Sequence, residues 1–176
     1  MEIWLVKSNS SLKVDGKTNI NSFECIVPSY GKTDTLICQR QSSRPDIFKV
    51  ESTLMIAIDL FDCHHRIMTR DLQKTLKSDI FPYMVIDFKT LSGMPSEAVQ
   101  SATFNGKADI ILAGVTKTYT ITFTSQATNA HNIELVGTKS ILFSDFNLKP
   151  PSKLGGTIKV KDQLDVEFRL QLKRTL

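Results

Sequence analysis

The chain has 176 residues, 41% hydrophobic and 23% charged, with a formal net charge of +4. That length carries one core of fair size, and the balance excludes a disordered chain. No apolar run approaches the roughly 20 residues of a membrane-crossing helix, and the basic residues are spread out rather than clustered with aromatics, which argues against a nucleic-acid partner.

The start, Met1-Glu2-Ile3-Trp4-Leu5-Val6-Lys7, lacks the apolar h-region of a signal peptide. It fits a cytoplasmic protein or an exported one whose signal has been removed. Residues 12–14 and 18–27 are weak strand candidates, separated by a turn predicted at Asp15-Gly16. Residues 30–45 are polar and read as a loop. Over 48–60, Phe48, Val50, Leu54, Ile56, Ile58 and Leu60 fall on one face of a strand.

Residues 69–78 break the two-residue period. Met68, Leu72 and Leu76 make one apolar stripe at helical spacing. The spacing predicts a short helix at about 67–78, with Thr69 as N-cap and Asp71 near its positive end. Pro82 stops any continuation. Strands resume at 84–88 (Met84, Ile86, Phe88), 104–112 and 117–124, where Tyr119, Ile121 and Phe123 alternate with threonines. Further strands are expected at 133–142 and 158–161, with turns at Ala113-Gly114, Asn129-Ala130 and Gly155-Gly156. The last segment is the clearest: Leu164, Val166, Phe168, Leu170 and Leu172 alternate with Asp165, Glu167, Arg169, Gln171 and Lys173. Lys149 before Pro150-Pro151 is expected to be extended.

Many strands of similar length and one short helix predict an all-β fold. Closure into an antiparallel barrel of about eight strands removes edges that would otherwise aggregate. No linker or repeat interrupts the chain, so one domain over 1–176 is expected.

Chemistry leaves few marks. Cys25, Cys38 and Cys63 form no Cys-x-x-Cys pair, so neither a zinc site nor a dithiol motif is expected. His64 and His65 are adjacent and would face opposite sides of a strand; they read as loop histidines, and His131 is remote. No Gly-x-Ser-x-Gly elbow or phosphate loop exists, and Asp145 reads as a turn residue. The expectation is a protein that is not an enzyme, with no catalytic residue, metal or cofactor. Lys77, Lys117, Lys149 and Lys153 could either form a basic rim or stand as separate surface lysines.

Four ordered stretches resemble the YceI-like family of lipid-binding barrels. They are Gly16-Lys17-Thr18-Asn19-Ile20-Asn21-Ser22-Phe23-Glu24-Cys25; Asp62-Cys63 with Met68, Asp71-Leu72, Leu76-Lys77, Phe81-Pro82 and Ile86-Asp87-Phe88; Ile110-Ile111-Leu112-Ala113-Gly114-Val115-Thr116-Lys117; and Phe143-Ser144-Asp145-Phe146-Asn147-Leu148-Lys149-Pro150-Pro151 followed by Gly156 and Ile158-Lys159-Val160-Lys161-Asp162. The first is similar to a branch found in Bacteroidetes-type bacteria. The resemblance implies a lipocalin-like barrel that holds an isoprenoid or similar lipid in its lumen, in a periplasmic or secreted protein. The histidine that the mainstream family carries in its second strand, near where Asn19 and Asn21 stand here, is missing, so any head-group role it plays does not carry over.

On that implication the lumen is lined by Ile56, Ile58, Ile86, Phe88, Ile110, Leu112, Tyr119, Ile121, Phe123, Val166, Phe168 and Leu170. The same residues could instead fill a dry core. Cys25 and Cys63 lie inside family-like stretches and are either disulfide-bonded or two buried thiols, with Cys38 left over. The expected function is non-enzymatic binding, storage or transport of a polyisoprenoid or isoprenoid-quinone-like lipid. The alternative is a filled barrel acting through its outer face or the 30–45 loop. The expected partner is an apolar lipid, with no nucleic acid and no stable membrane insertion; a homodimer is left open.

Overall fold

The computed structural model describes residues 1–96 and 98–175, with only the backbone at 153 and 154. Its strands are β1 (Glu2–Val6), β2 (Ser11–Thr18), β3 (Ser22–Val27), β4 (Asp34–Arg40), β5 (Phe48–Ala57), β6 (Tyr83–Leu91), β7 (Ser101–Leu112), β8 (Val115–Asn129), β9 (Asn132–Leu142), the two-residue β10 (Ser152–Lys153) and β11 (Ile158–Arg174). One helix, α1 (Arg66–Thr75), lies between β5 and β6.

Eight strands form a closed antiparallel ring. The order is β1, β4, β5, β6, β7, β8, β9, β11, and β11 returns to β1 through Trp4–Arg174, Leu5–Lys173 and Val6–Leu172. The long β11 makes this possible. Its last residues pair with β1, while Val160–Arg169 pairs with Thr18–Ser11 of β2. β2 thus prolongs the line of β1, and β3 likewise prolongs the line of β4. On most strands inward positions are apolar and outward ones polar, as alternation requires; the exceptions include the buried Ser52 and Ser125 inside and Ile3, Leu5 and Ile37 outside.

Most predicted elements appear, and five expectations are corrected. First, residues 30–45 are not a loop: they contain β4, which pairs with β1 and β5 and buries Leu36 and Cys38. Deleting them would open the barrel, so that segment is not a separable interaction loop. Second, residues 19–21 form a turn that splits the predicted 18–27 strand. Third, Asp15-Gly16 lies within β2. A Cβ at Gly16 would lie 2.2 Å from the Phe23 ring, so glycine is there for close approach. Fourth, β5 stops at Ala57, and Leu60 points to solvent. Fifth, His65 caps α1, its Nδ1 accepting from the Met68 N–H at 3.5 Å. Thr69 instead accepts from the Cys63 N–H through its hydroxyl at 2.9 Å. The predicted turn at Ala113-Gly114 is present, with φ of 49° and 76°, the left-handed pair that a tight hairpin needs.

The links 7–10 and 28–33 lie within the wall, where β2 follows β1 and β4 follows β3; the other connections divide between two ends. One end carries the 19–21 turn, the 58–82 connection with α1, the 113–114 turn and the segment between β9 and β11. The other carries the connections after β4, β6 and β8 and both termini. At the first end the barrel wall is weak: β3 meets the chain beyond β5 through a single bridge. There Ile26 N–H donates to Asp62 O at 2.9 Å and Asp62 N–H to Ile26 O at 2.8 Å. Cys25 and Cys63, disulfide-bonded with Sγ–Sγ 2.01 Å, tie the same seam.

Cys38 is free and fully buried. Burial first, and then the nearby Glu2 carboxylate, push its thiol up to about 12. At pH 8 the thiolate is therefore about one part in 10⁴. A thiol reagent should leave the native protein untouched and modify one thiol per chain once denaturant is added; fast native labelling would contradict this.

Candidate functional site: the barrel interior and its mouth

The twelve predicted lumen residues come from β5, β6, β7, β8, β11 and the turn after β5, and all converge on the interior. Eleven are buried. Tyr119 is half-buried near the helix-bearing end. Its hydroxyl donates to Asp145 Oδ2 at 2.6 Å and its ring lies 6.2 Å from that of Phe146. Burial and this hydrogen bond raise the phenol above its ordinary value, so it stays protonated. Asp145 thus sits in a short 3₁₀ turn, Phe143–Phe146, and holds Tyr119.

The interior is packed. Phe123 stands 6.1 Å from Phe88, 6.0 Å from Phe104 and 5.9 Å from Phe168, centroid to centroid. Phe88 and Phe168 are 6.0 Å apart. These four rings form a layer across the barrel. Beside it, between Leu12, Leu54, Ile56, Ile86 and Phe168, lies a cavity of about 20 Å³. That is room for about one water. Among the described residues three buried side-chain polar atoms have no hydrogen-bond partner: Trp4 Nε1, Ser52 Oγ and Ser125 Oγ.

A larger space lies at the helix-bearing end. A cleft of about 220 Å³ opens between α1, the β2–β3 turn and the start of β11. Ile20 and Phe23 come from the hairpin, Met68 and Leu72 from the inward face of α1, and Pro151, Ile158 and Val160 from the returning chain. Cys25 and Phe143 form its floor, and Thr18, Asn21, His65 and Asp71 supply its polar groups. Thr18 donates to Asn21 Oδ1 at 2.8 Å and accepts from the Asn21 N–H at 2.9 Å, which fixes the hairpin tip. Sequence reasoning missed this cleft as a site. Its residues come from three distant segments, and only the Met68–Leu72 stripe hinted at it.

The remaining candidates lie elsewhere. Lys77, Lys117 and Lys149 are exposed at the same end, and none lines the cleft; the Lys153 side chain lies outside the described residues. His64 Nε2 is 3.2 Å from Glu24 Oε1, and His131 is exposed in the β8–β9 turn. Among the described residues no group of three or more His, Cys, Asp and Glu is placed to hold a metal ion. No described helix is long and apolar enough to cross a membrane.

Closed ring, interior aromatic layer and helix over one end define a lipocalin-like barrel. Residues 10–172 match the model of the YceI-like domain, and the chain belongs to that family. Among curated proteins no match is found. Solved structures share the fold at low identity. BcnA of Burkholderia cenocepacia is 16% identical with a TM-score of 0.65, over 94% of this chain and 98% of its own. A polyisoprenoid binding domain from Saccharophagus degradans, implicated in plant cell wall breakdown, is 10% identical with a TM-score of 0.68, over 98% of each chain. A Campylobacter jejuni YCEI protein is 14% identical with a TM-score of 0.57, over 80% of each.

Proposed function

We propose that the protein is a non-catalytic carrier for a long apolar chain of isoprenoid type, which enters under α1 and lies along the barrel. The observation that carries this reading is the apolar cleft at the mouth of a barrel of this family, with core side chains Cys25, Leu72 and Phe143 at its base. The likeness in fold to a polyisoprenoid binding domain supports the ligand class.

A chain that buries about 400 Å² of apolar surface gains about 10 kcal/mol at about 25 cal/mol per Å². Association opposes that with about 4–15 kcal/mol. Binding therefore needs most of the barrel's length, and the Phe88–Phe123–Phe168 layer has to part. The Cys25–Cys63 disulfide supports an oxidising, periplasmic or extracellular location.

A second reading has an observation of its own. The packed layer of Phe88, Phe104, Phe123 and Phe168, with a cavity of about 20 Å³ beside it, favours a permanently filled barrel that acts through its outer face. Native mass spectrometry separates the two. The carrier reading expects an added mass that passes into organic solvent, or that appears once an isoprenoid chain is offered. A bare polypeptide mass under both conditions sinks it.

A further inference from the structure

The mouth is distinguished from the rest of the surface by both charge and exposed apolar side chains. The connections at that end, with the strand residues that enter and leave them, are 17–22, 58–82, 113–117 and 143–162. They hold ten basic and six acidic residues, which accounts for the whole net charge of +4; the remainder has twelve of each. Lys17, Arg66, Arg70, Lys74, Lys77, Lys117, Lys149, Lys159 and Lys161 are all exposed.

The same segments carry Ile20, Leu60, Ile67, Ile80 and Phe81, half of the large apolar side chains exposed among the described residues. Tyr83 and Leu142 adjoin them, whereas the far end has Met1 and Val99. Ile20 and Ile80 are each about two-thirds exposed, at 66% and 67%. Helix α1 joins the two features. At 100° per residue, Met68, Leu72 and Leu76 face the barrel, while Ile67, Arg70 and Lys74 share the opposite stripe. A soluble surface seldom groups aliphatic side chains without a partner for them.

We propose that this end of the barrel is a docking surface for an anionic lipid bilayer. The aliphatic side chains enter the headgroup layer, the basic ones meet its negative charge, and the cleft faces the acyl chains. Interleaving of aliphatic and basic residues suits a bilayer interface; a polyanion such as nucleic acid would leave Ile67 and Ile80 without a partner. The proposal rests on the reading of the mouth as the entrance for an apolar chain, and it identifies the source of that chain as a membrane. It involves no spanning segment.

The test is co-sedimentation of the full chain with vesicles free of isoprenoid, either phosphatidylcholine alone or phosphatidylcholine mixed with phosphatidylglycerol. Binding is expected to the mixed vesicles only, and to be lost in about 1 M salt, where the screening length is about 3 Å. The pair R70E and K74E should weaken it at least tenfold or so, given about 1 kcal/mol per basic residue at such a surface. The pair I67D and I80D should abolish it. K107E with K173E makes the same change in charge away from the mouth and should leave binding unchanged. Circular dichroism and melting temperature confirm that each variant is folded. Equal binding to both vesicle types, equal loss in the distal pair, or a dimer that covers Ile67 and Ile80 in solution overturns the proposal. Because the vesicles contain no isoprenoid, docking without any carried chain leaves this inference standing while the carrier reading fails in mass spectrometry; a loaded barrel that ignores vesicles does the reverse.

Discussion

Reduction of the Cys25–Cys63 bridge, or its removal in C25S with C63S, should lower the unfolding free energy by about 4 kcal/mol. The bridge closes a loop with a sequence separation of 38, and loop-closure entropy for such a loop is about 4 kcal/mol. For a chain of this size that is a drop in melting temperature of roughly 10 °C. The loss should begin locally. Among the described residues the backbones of β3 and the chain beyond β5 meet at this seam in the Ile26–Asp62 bridge alone, with the exposed His64–Glu24 contact beside it, so amides in α1 and β3 should exchange faster before the rest of the barrel does. Cys38 is free and buried in the native fold. Identical melting with and without reductant would show that the bridge contributes nothing.

Phe123→Ala should cost about 3–5 kcal/mol, a large share of a typical stability of about 5–15 kcal/mol. Phe123 is fully buried and packs within about 6 Å of three other rings. Its removal leaves a void in the middle of the barrel that Phe88, Phe104 and Phe168 can only partly fill. Phe123→Leu should lose less, because more of the volume stays. If the interior admits an apolar chain, that chain should restore part of the lost stability in the Phe123→Ala protein, as a ligand selective for the folded state does. A melting temperature within a degree or two of the parent would mean that the ring layer is loose.

The barrel was legible because β8 and above all β11 alternate over long stretches, and β5 and β6 do so with few exceptions, Ser52 inside and Met55 and Val85 outside. β1 and β4 were missed for one physical reason. Trp4 and Val6 face inward, as do Leu36 and Cys38, but their outward neighbours Ile3, Leu5 and Ile37 are also apolar and half-buried. Alternation of burial is then invisible as alternation of polarity. The Asp15-Gly16 pair carries ordinary turn chemistry and misled for a different reason: the glycine there makes room for the Phe23 ring, a tertiary contact no local pattern reports. The interior residues were legible because a strand's inward face is a local property. The cleft was not, because Ile20, Met68, Pro151 and Val160 meet only after the ring has closed. The charge of the mouth was hidden likewise, since basic residues spread along the chain gather at one end only through the topology.

Trp4 offers the most direct test of a chain lying along the barrel. It is the only tryptophan in the sequence, fully buried, and placed on β1 at the end away from α1. An isoprenoid-like chain that bears bromine at its far terminus, titrated into the protein, should quench Trp4 emission at saturation, and the same chain brominated beside its head group should not. Equal emission with either chain, once binding is established by mass, would place the ligand outside the barrel and contradict the account.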